Sequence, residues 1–362
     1  MREGGERDLK KILFVMLLFF AFTYIKVYSF DIPQIEGYSV FSQTVSDIVS
    51  GKFSLNPIDI FNNIVFNITD EIKGFTVKTV SVIVLAMLSS TVNTFNSALG
   101  ENDGSKAAFF VFFSLLSGVA LSCFETALLY ANDVISLMTS FMNKFTPVLM
   151  VTLFACGKTV SAVSFEPVMS ASVVVISIII EKCLIPLMVF SAVLAVASNV
   201  GDGAGISGFI KIIKSITRWL MAFVITLFTG INAVYGLSVS TLDAVSAKTM
   251  KFAVGSLVPV VGGFLSDTLE TVLSSAKLLK NAVGVSGVLI LCGMCIVPVI
   301  KIGIMQLMLK FCAALTEPIT DKRISLMLWS VSEAITSVFG TLILTAVLFL
   351  INICLIVGVT GI

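Results

Sequence analysis

The sequence contains no histidine. Its absence removes the side chain that ordinarily titrates near neutrality, and with it the commonest general base and the commonest transition-metal ligand. Ordinary hydrolytic triads and zinc centres are excluded on that ground. Charge is scarce too: Asp, Glu, Lys and Arg make up 12% of 362 residues, where a soluble domain carries roughly 25%. The 23 cations and 22 anions leave a net charge of +1. That balance gives no general attraction to nucleic acid or to acidic substrates, so any electrostatic logic must be local. The 7 cysteines are odd in number and scattered through apolar runs, where a free cysteine packs as a small hydrophobe. Together these deficits point away from an enzyme.

What the chain has instead is apolar surface. Hydrophobic residues make up 57% of it and the mean hydropathy is +1.05. The excess runs along most of the length, so one terminal anchor cannot account for it. The expected fold is all-α, a polytopic helical integral membrane protein with about six to eight transmembrane helices and additional amphipathic interfacial helices.

Residues 1–29 have the order of parts of a signal peptide. Arg2, Arg7, Lys10 and Lys11 precede an apolar stretch from Ile12 to Ile25, and the small residue Ser29 follows, with Val27 two positions before it. Tyr24, Lys26 and Tyr28 make the cleavage site imperfect, and an uncleaved signal anchor is the alternative. Either way, residues 30–75 are exported. From 31 to 75 there are six acids (Asp31, Glu36, Asp47, Asp59, Asp70, Glu71) against Lys52 and Lys73. A lack of cations suits the outer side of a membrane. Val45, Ile48 and Val49, and then Ile60, Ile64 and Ile68, recur at helical spacing, with Gly51 to Pro57 as a break. This pattern reads as two short amphipathic helices.

Residues 76–362 form the multi-span domain. Spans are expected near 76–97, 107–131, 146–165, 168–199, 219–240, 283–300 and 338–360, with weaker segments near 257–281, 301–315 and 324–337. The stretch 168–199 is too long for one upright crossing and carries Glu181 and Lys182 at its middle. It is a long tilted helix or a tight hairpin. Lys211, Lys214 and Arg218 lie on one helix face opposite Phe209, Ile212, Ile213 and Ile216, a pattern that favours the cytoplasmic surface. Counted from an exported residue 31 through these spans, that placement requires the hairpin.

Short motifs carry little. Gly203, Gly205 and Gly208 match a dinucleotide-binding spacing, but they follow a membrane segment, not a strand, and the next acid is Asp243. The run reads as an interhelical loop. Gly157-Lys158-Thr159 lacks the first glycine of a phosphate loop, since residue 152 is Thr. Cys292 and Cys295 share one side of a helix with no second pair to complete a metal site, and read as packing. Ionisable residues within apolar runs say more, because hydrocarbon tolerates them only where they meet protein or water. Glu125, Lys158, Glu166, Glu181, Lys182, Lys301, Lys310 and Glu333 form this set.

The best organised polar stripe lies in 262–281. At about 100° per residue, Asp267, Glu270, Ser274, Lys277 and Asn281 fall inside an arc of roughly 80°. Gly262-Gly263 breaks the chain before it, and Asn281 with Gly284 is the expected end of the helix. Such an amphipathic or re-entrant segment near 257–281 floats at the interface or lines a polar path or subunit contact. With Glu181 and Lys182, these residues are the candidate site. No catalytic, cofactor-binding or metal-binding residue is expected.

Long strings around this stripe carry a resemblance: Arg218-Trp219-Leu220, AKTMKF from Ala247 to Phe252, LVPVVGGFLSDTLETV over 257–272 and LLKNAVGVSG over 278–287. The chain resembles the stage III sporulation protein AE family of endospore-forming Firmicutes, and the similarity extends over nearly its whole length. The resemblance implies a multi-pass place in the mother-cell membrane surrounding the forespore. It implies work there with the other stage III A-series membrane proteins, their secretion-type ATPase and the forespore stage II protein Q, as a transenvelope channel or secretion-like complex that supports the engulfed forespore. It leaves room for a homo-oligomer and brings no catalytic residues. The alternative is a self-sufficient secondary transporter, although the chain shows no internal repeat of the kind such folds use.

Overall fold

The computed structural model describes residues 80–91, 103–199, 208–231 and 262–358, and these are helical nearly throughout. In chain order they form α1 (Val80–Thr91), α2 (Asp103–Ala155), α3 (Thr159–Ile179), a π-helical turn (Ile180–Leu184), α4 (Ile185–Ala197), α5 (Gly208–Ile231), α6 (Gly262–Thr316) and α7 (Lys322–Gly358). Five of the resulting runs are long and apolar enough to cross a membrane: those within α2, α3 to α4, α5, α6 and α7. The chain is therefore an all-α membrane protein. The expected signal sequence, the exported segment 30–75 and residues 232–261 lie outside the described residues.

The helices are longer than the sequence segments suggested. The expected spans 107–131 and 146–165 do not end where composition placed them, because α2 runs unbroken through Asn132, Asp133, Asn143 and Lys144. Val134, Ile135, Met138 and Met142 keep the inner face apolar through that stretch while the polar residues fall outside it. The break comes later, at Gly157. With φ of 72°, Gly157 takes the left-handed conformation that ends a helix, donating to the Phe154 carbonyl at 2.9 Å while Lys158 N–H reaches Leu153 at 3.1 Å. The same merging joins 301–315 to 283–300 in α6, and 324–337 to 338–360 in α7. Nor does the helix that carries the polar stripe end at Asn281 and Gly284. Helix α6 runs on to Thr316, 55 residues in all, and Gly284 and Gly287 serve packing, not termination. At the other end of α7, Asp321 caps the helix by accepting the Arg323 N–H at 2.9 Å.

The stretch 168–199 is a continuous helix and not a hairpin. Its inner face shows Phe165, Met169, Val173, Ile176, Ile180, Leu184, Met188 and Ala192. Four steps of four residues from Ile176 to Ala192 would carry an α-helical stripe steadily round the axis, since 3.6 residues make a turn. The π turn absorbs one residue and holds the stripe against the core. Pro186 makes that turn cheap: it has no N–H to give the Lys182 carbonyl, and Ile185 N–H bonds back to Ile180 instead.

Side-chain pairs set the helix directions. Tyr130, Met138 and Phe145 of α2 meet Lys301, Cys295 and Gly287 of α6 in reverse order, so these helices are antiparallel. Gly284 faces Val357 and Gly303 faces Phe339, which makes α6 and α7 antiparallel as well. Thr139 bonds Ser177 at 3.0 Å across the α2–α3 hairpin. Lys214 pairs with Glu333, and Met221 lies against Gly340, so α5 runs parallel to α7. Each long helix thus reverses the one before it. With α2 and α3–α4 as one crossing each, α5 starts on the same side as α2. The basic face of Lys211, Lys214 and Arg218 then needs no hairpin to lie on the cytoplasmic side of an exported N-terminal segment. The parity conflict in the sequence reading came from splitting α2 and α3.

Candidate functional site

The polar groups inside the bundle are ties between helices and do not converge on one centre. Among the described residues no three His, Cys, Asp or Glu side chains are grouped as metal ligands would be. Cys295 Sγ lies 3.0 Å from Met138 Sδ in the core, as a packing residue would. Lys301 of α6 donates to the Tyr130 hydroxyl of α2 at 2.7 Å, with its ammonium 4.8 Å from the ring centre. An aromatic face and a hydroxyl thus hold a cation that hydrocarbon would reject. Lys214 forms an ion pair with Glu333, joining α5 to α7.

The most deeply placed charge is Lys280 of α6, 1% exposed, whose Nζ donates to the Val357 carbonyl at 2.9 Å. Val357 belongs to the last turn of α7, where carbonyls lack helical partners and the helix dipole favours a cation. One turn further along α6, a β-carbon at Gly284 would overlap Val357, and at Gly287 it would overlap the Phe145 ring of α2. Lys280, Gly284 and Gly287 therefore seat α7 and α2 on α6 through one face, with small residues permitting the close approach. Lys158 and Lys277 stand near the same end. Burial pushes the Cys156 thiol in the α2–α3 turn upward, and Lys280, Lys158 and Lys277 partly oppose that.

The sequence stripe is placed as follows. Ser274, Lys277 and Asn281 are exposed on the N-terminal half of α6, which supplies helical backbone at Asp267 and Glu270 as well. The side chains of Asp267 and Glu270 lie outside the described residues. Lys280 was missed because its direction lies outside the stripe's arc. Its signal was the i, i+4, i+7 series Lys280, Gly284, Gly287, which marks a packed face. Asn352 was missed too: it is wholly buried in α7, and among the described residues neither end of its amide is hydrogen-bonded. No sequence signal distinguished it from other polar residues in apolar runs.

Glu181 and Lys182 are exposed on the outer surface of the π turn, with Cys183 beside them, while Ile180 and Leu184 on either side are buried. Neither Glu181 nor Lys182 makes a hydrogen bond or ion pair among the described residues. Among the described residues neither bonds to Ser274, Lys277 or Asn281 of the stripe on α6.

The family model for stage III sporulation protein AE matches residues 39–360. A stage III sporulation protein AE of Bacillus subtilis (strain 168) is 28% identical over 277 residues, 76% of this chain and 69% of that protein. No solved structure matches. With five long apolar helices and a family match over nearly its whole length, the chain belongs to the stage III sporulation protein AE family.

Proposed function

We propose that this chain is a non-enzymatic membrane subunit of the transenvelope, secretion-like complex between mother cell and forespore, seated in the mother-cell membrane around the forespore. A sporulation role comes with the family. The reading of a subunit, as opposed to a transporter working alone, is supported by one observation: exposed apolar side chains lie farther apart along α2 than a bilayer is thick. From Phe110 to Phe154 these side chains form two bands, Phe110, Val111, Leu115 and Leu129 in one and Val148, Val151 and Phe154 in the other, on either side of the exposed Ser136, Ser140, Asn143 and Lys144. At about 1.5 Å per residue that is roughly 66 Å. Hydrocarbon is about 30 Å thick, and a helix tilted by about 40° crosses no more than about 40 Å of it. Lipid that covers one band therefore leaves the other, and a protein partner is the means of covering it.

The expected partners are the other stage III A-series proteins, their ATPase and the forespore stage II protein Q. Affinity purification of the tagged chain from membranes of sporulating cells is expected to recover them, and loss of the chain is expected to arrest the forespore after engulfment with vegetative growth untouched. Recovery of the chain alone, together with solute transport by the purified chain in liposomes, would overturn the reading in favour of a self-sufficient transporter.

A further inference from the structure

Glu181 and Lys182 sit where lipid cannot accept them. Thr341 Oγ1 of α7 lies 3.7 Å from Met188 Sδ of α4 and fixes the relative height of these two elements. Helix α4 runs against α7, so seven residues back along it Glu181 stands level with Leu348 and Lys182 with Val347. From Ala334 to Gly358 helix α7 has no Asp, Glu, Lys or Arg. That run is about 37 Å long, enough to cross hydrocarbon, and Glu181 is about 15 Å from its nearer end. Neither side chain can extend to water from that depth. The surrounding surface is apolar: Val174, Val175 and Ile178 are each about half exposed. An opposite pair of charges is thus set into a lipid-type surface, pointing away from its own bundle, on a π turn of a kind that often marks functional sites.

The geometry points to a second copy of this chain as the occupant of this face. The inference rests on the subunit reading above and adds a partner to it. Copies in one membrane related by a two-fold axis along the bilayer normal carry each residue at the same height, so a self-complementary patch must pair residues that are nearly level. Glu181 and Lys182 are adjacent, differing in height by about 1.5 Å and in direction by about one quarter-turn. With the axis between their two directions, each carboxylate meets the ammonium of the other copy. At about 100° per residue, Ile178 and Val174 then fall within about 30° of that axis, so each faces its own counterpart. Two reciprocal ion pairs flank an apolar centre, and all four charges are removed from lipid.

Charge exchange tests this with the purified full-length chain in lipid nanodiscs. The unaltered chain is expected to be dimeric, Glu181→Lys and Lys182→Glu are each expected to lower the dimeric fraction at least tenfold, and the double exchange is expected to restore it. A monomeric unaltered chain, or a double exchange that stays monomeric because the natural partner is a different protein, overturns the inference. The purification from sporulating cells described above would stand regardless. Because a reversed charge can impair insertion, a second measurement leaves the charges in place. In a chain with Cys183→Ser and Cys354→Ser, Ile178→Cys is expected to form a disulfide-linked dimer on mild oxidation in membranes, whereas Leu307→Cys, exposed on α6, is not. Failure of Ile178→Cys to link, or equal linking at both positions, overturns the placement.

Discussion

At the scale of single residues, glycine and lysine on α6 do work that the same residues would not do in water. Helices in lipid gain little from hydrophobic association, since lipid tails are as apolar as leucine, so close van der Waals fit and interhelical hydrogen bonds hold the bundle together. Gly284 is the sharpest case. A β-carbon there overlaps Val357 Cγ2, and Val357 is the residue whose carbonyl accepts the Lys280 ammonium. Gly284→Ala is expected to destabilise the chain by about 1–3 kcal/mol through overpacking, moving α7 away from α6 and lengthening the Lys280 bond. Val357→Ala in the same chain removes the overlapping methyl and is expected to recover most of the loss. Thermal unfolding of the three variants in detergent checks this, and equal destabilisation of the single and double variants would show that the contact is not the cause.

At the scale of elements, α6 joins two environments. Its C-terminal part, from Lys280 to Thr316, is apolar enough to span a membrane, whereas 262–281 carries Asp267, Glu270, Ser274, Lys277 and Asn281 along one side. The helix that continues from one into the other is 55 residues, or about 80 Å, so the stripe extends beyond any bilayer that the C-terminal part crosses. Ser274, Lys277 and Asn281 point out of the bundle, and carboxylates near the N-terminus already suit the helix dipole. An outward polar face on a projecting helix serves solvent or a partner. Glu270→Leu with Lys277→Leu separates the two uses: it removes both charges without disturbing the apolar packing. The doubly substituted chain is expected to accumulate normally yet fail to support spore formation or lose its partners. Normal sporulation with intact co-purification would reduce the stripe to a solvated surface.

At the scale of the whole molecule, the alternating directions of α2, α3–α4, α5, α6 and α7 fix which turns share a side. Ser198 and Asn199 with the segment 317–321 lie at one end of the bundle and the turn at 156–158 at the other. Lys211, Lys214, Arg218, Lys310, Lys322 and Arg323 lie toward the first end, against Lys158, Lys277 and Lys280 toward the second, and the larger number of cations makes the first end the expected cytoplasmic one. An exported segment 31–75 followed by one crossing through 76–97, as expected from the sequence, would give the same orientation. In a chain whose exposed native cysteines are serine, made in vegetative cells so that it enters the plasma membrane, Gly203→Cys and Glu317→Cys are expected to resist a membrane-impermeant thiol reagent applied to protoplasts, and Thr159→Cys to react. Labelling of Gly203→Cys and Glu317→Cys together with protection of Thr159→Cys would invert the orientation. Labelling that separates Gly203 from Glu317 would break the alternation.

The sequence by itself determined the solvent, the class and the family. An apolar majority spread along the chain in long runs calls for a helical membrane fold, because in lipid only helices and closed barrels satisfy their backbone amides, and a barrel strand alternates apolar with polar residues. Strings such as LVPVVGGFLSDTLETV were long enough to carry the family. Hydropathy also marked Glu181 and Lys182 as anomalous, but it did not say which way they point. Element boundaries were misread where polar residues interrupted an apolar run: Asp133 and Lys144 resembled a loop, and Gly284 resembled a helix end. In water such residues do stop helices. Inside a bundle of 37- to 55-residue helices they fall on a side that packing leaves open, or at a contact that only a hydrogen atom fits. Only tertiary structure decided that Lys280 is buried, that 168–199 is one helix with a π turn, and that Glu181 and Lys182 look outward. Each depends on which face of a helix meets which neighbour, and residues far apart in the chain set that register: 280 with 357, 188 with 341 and 214 with 333.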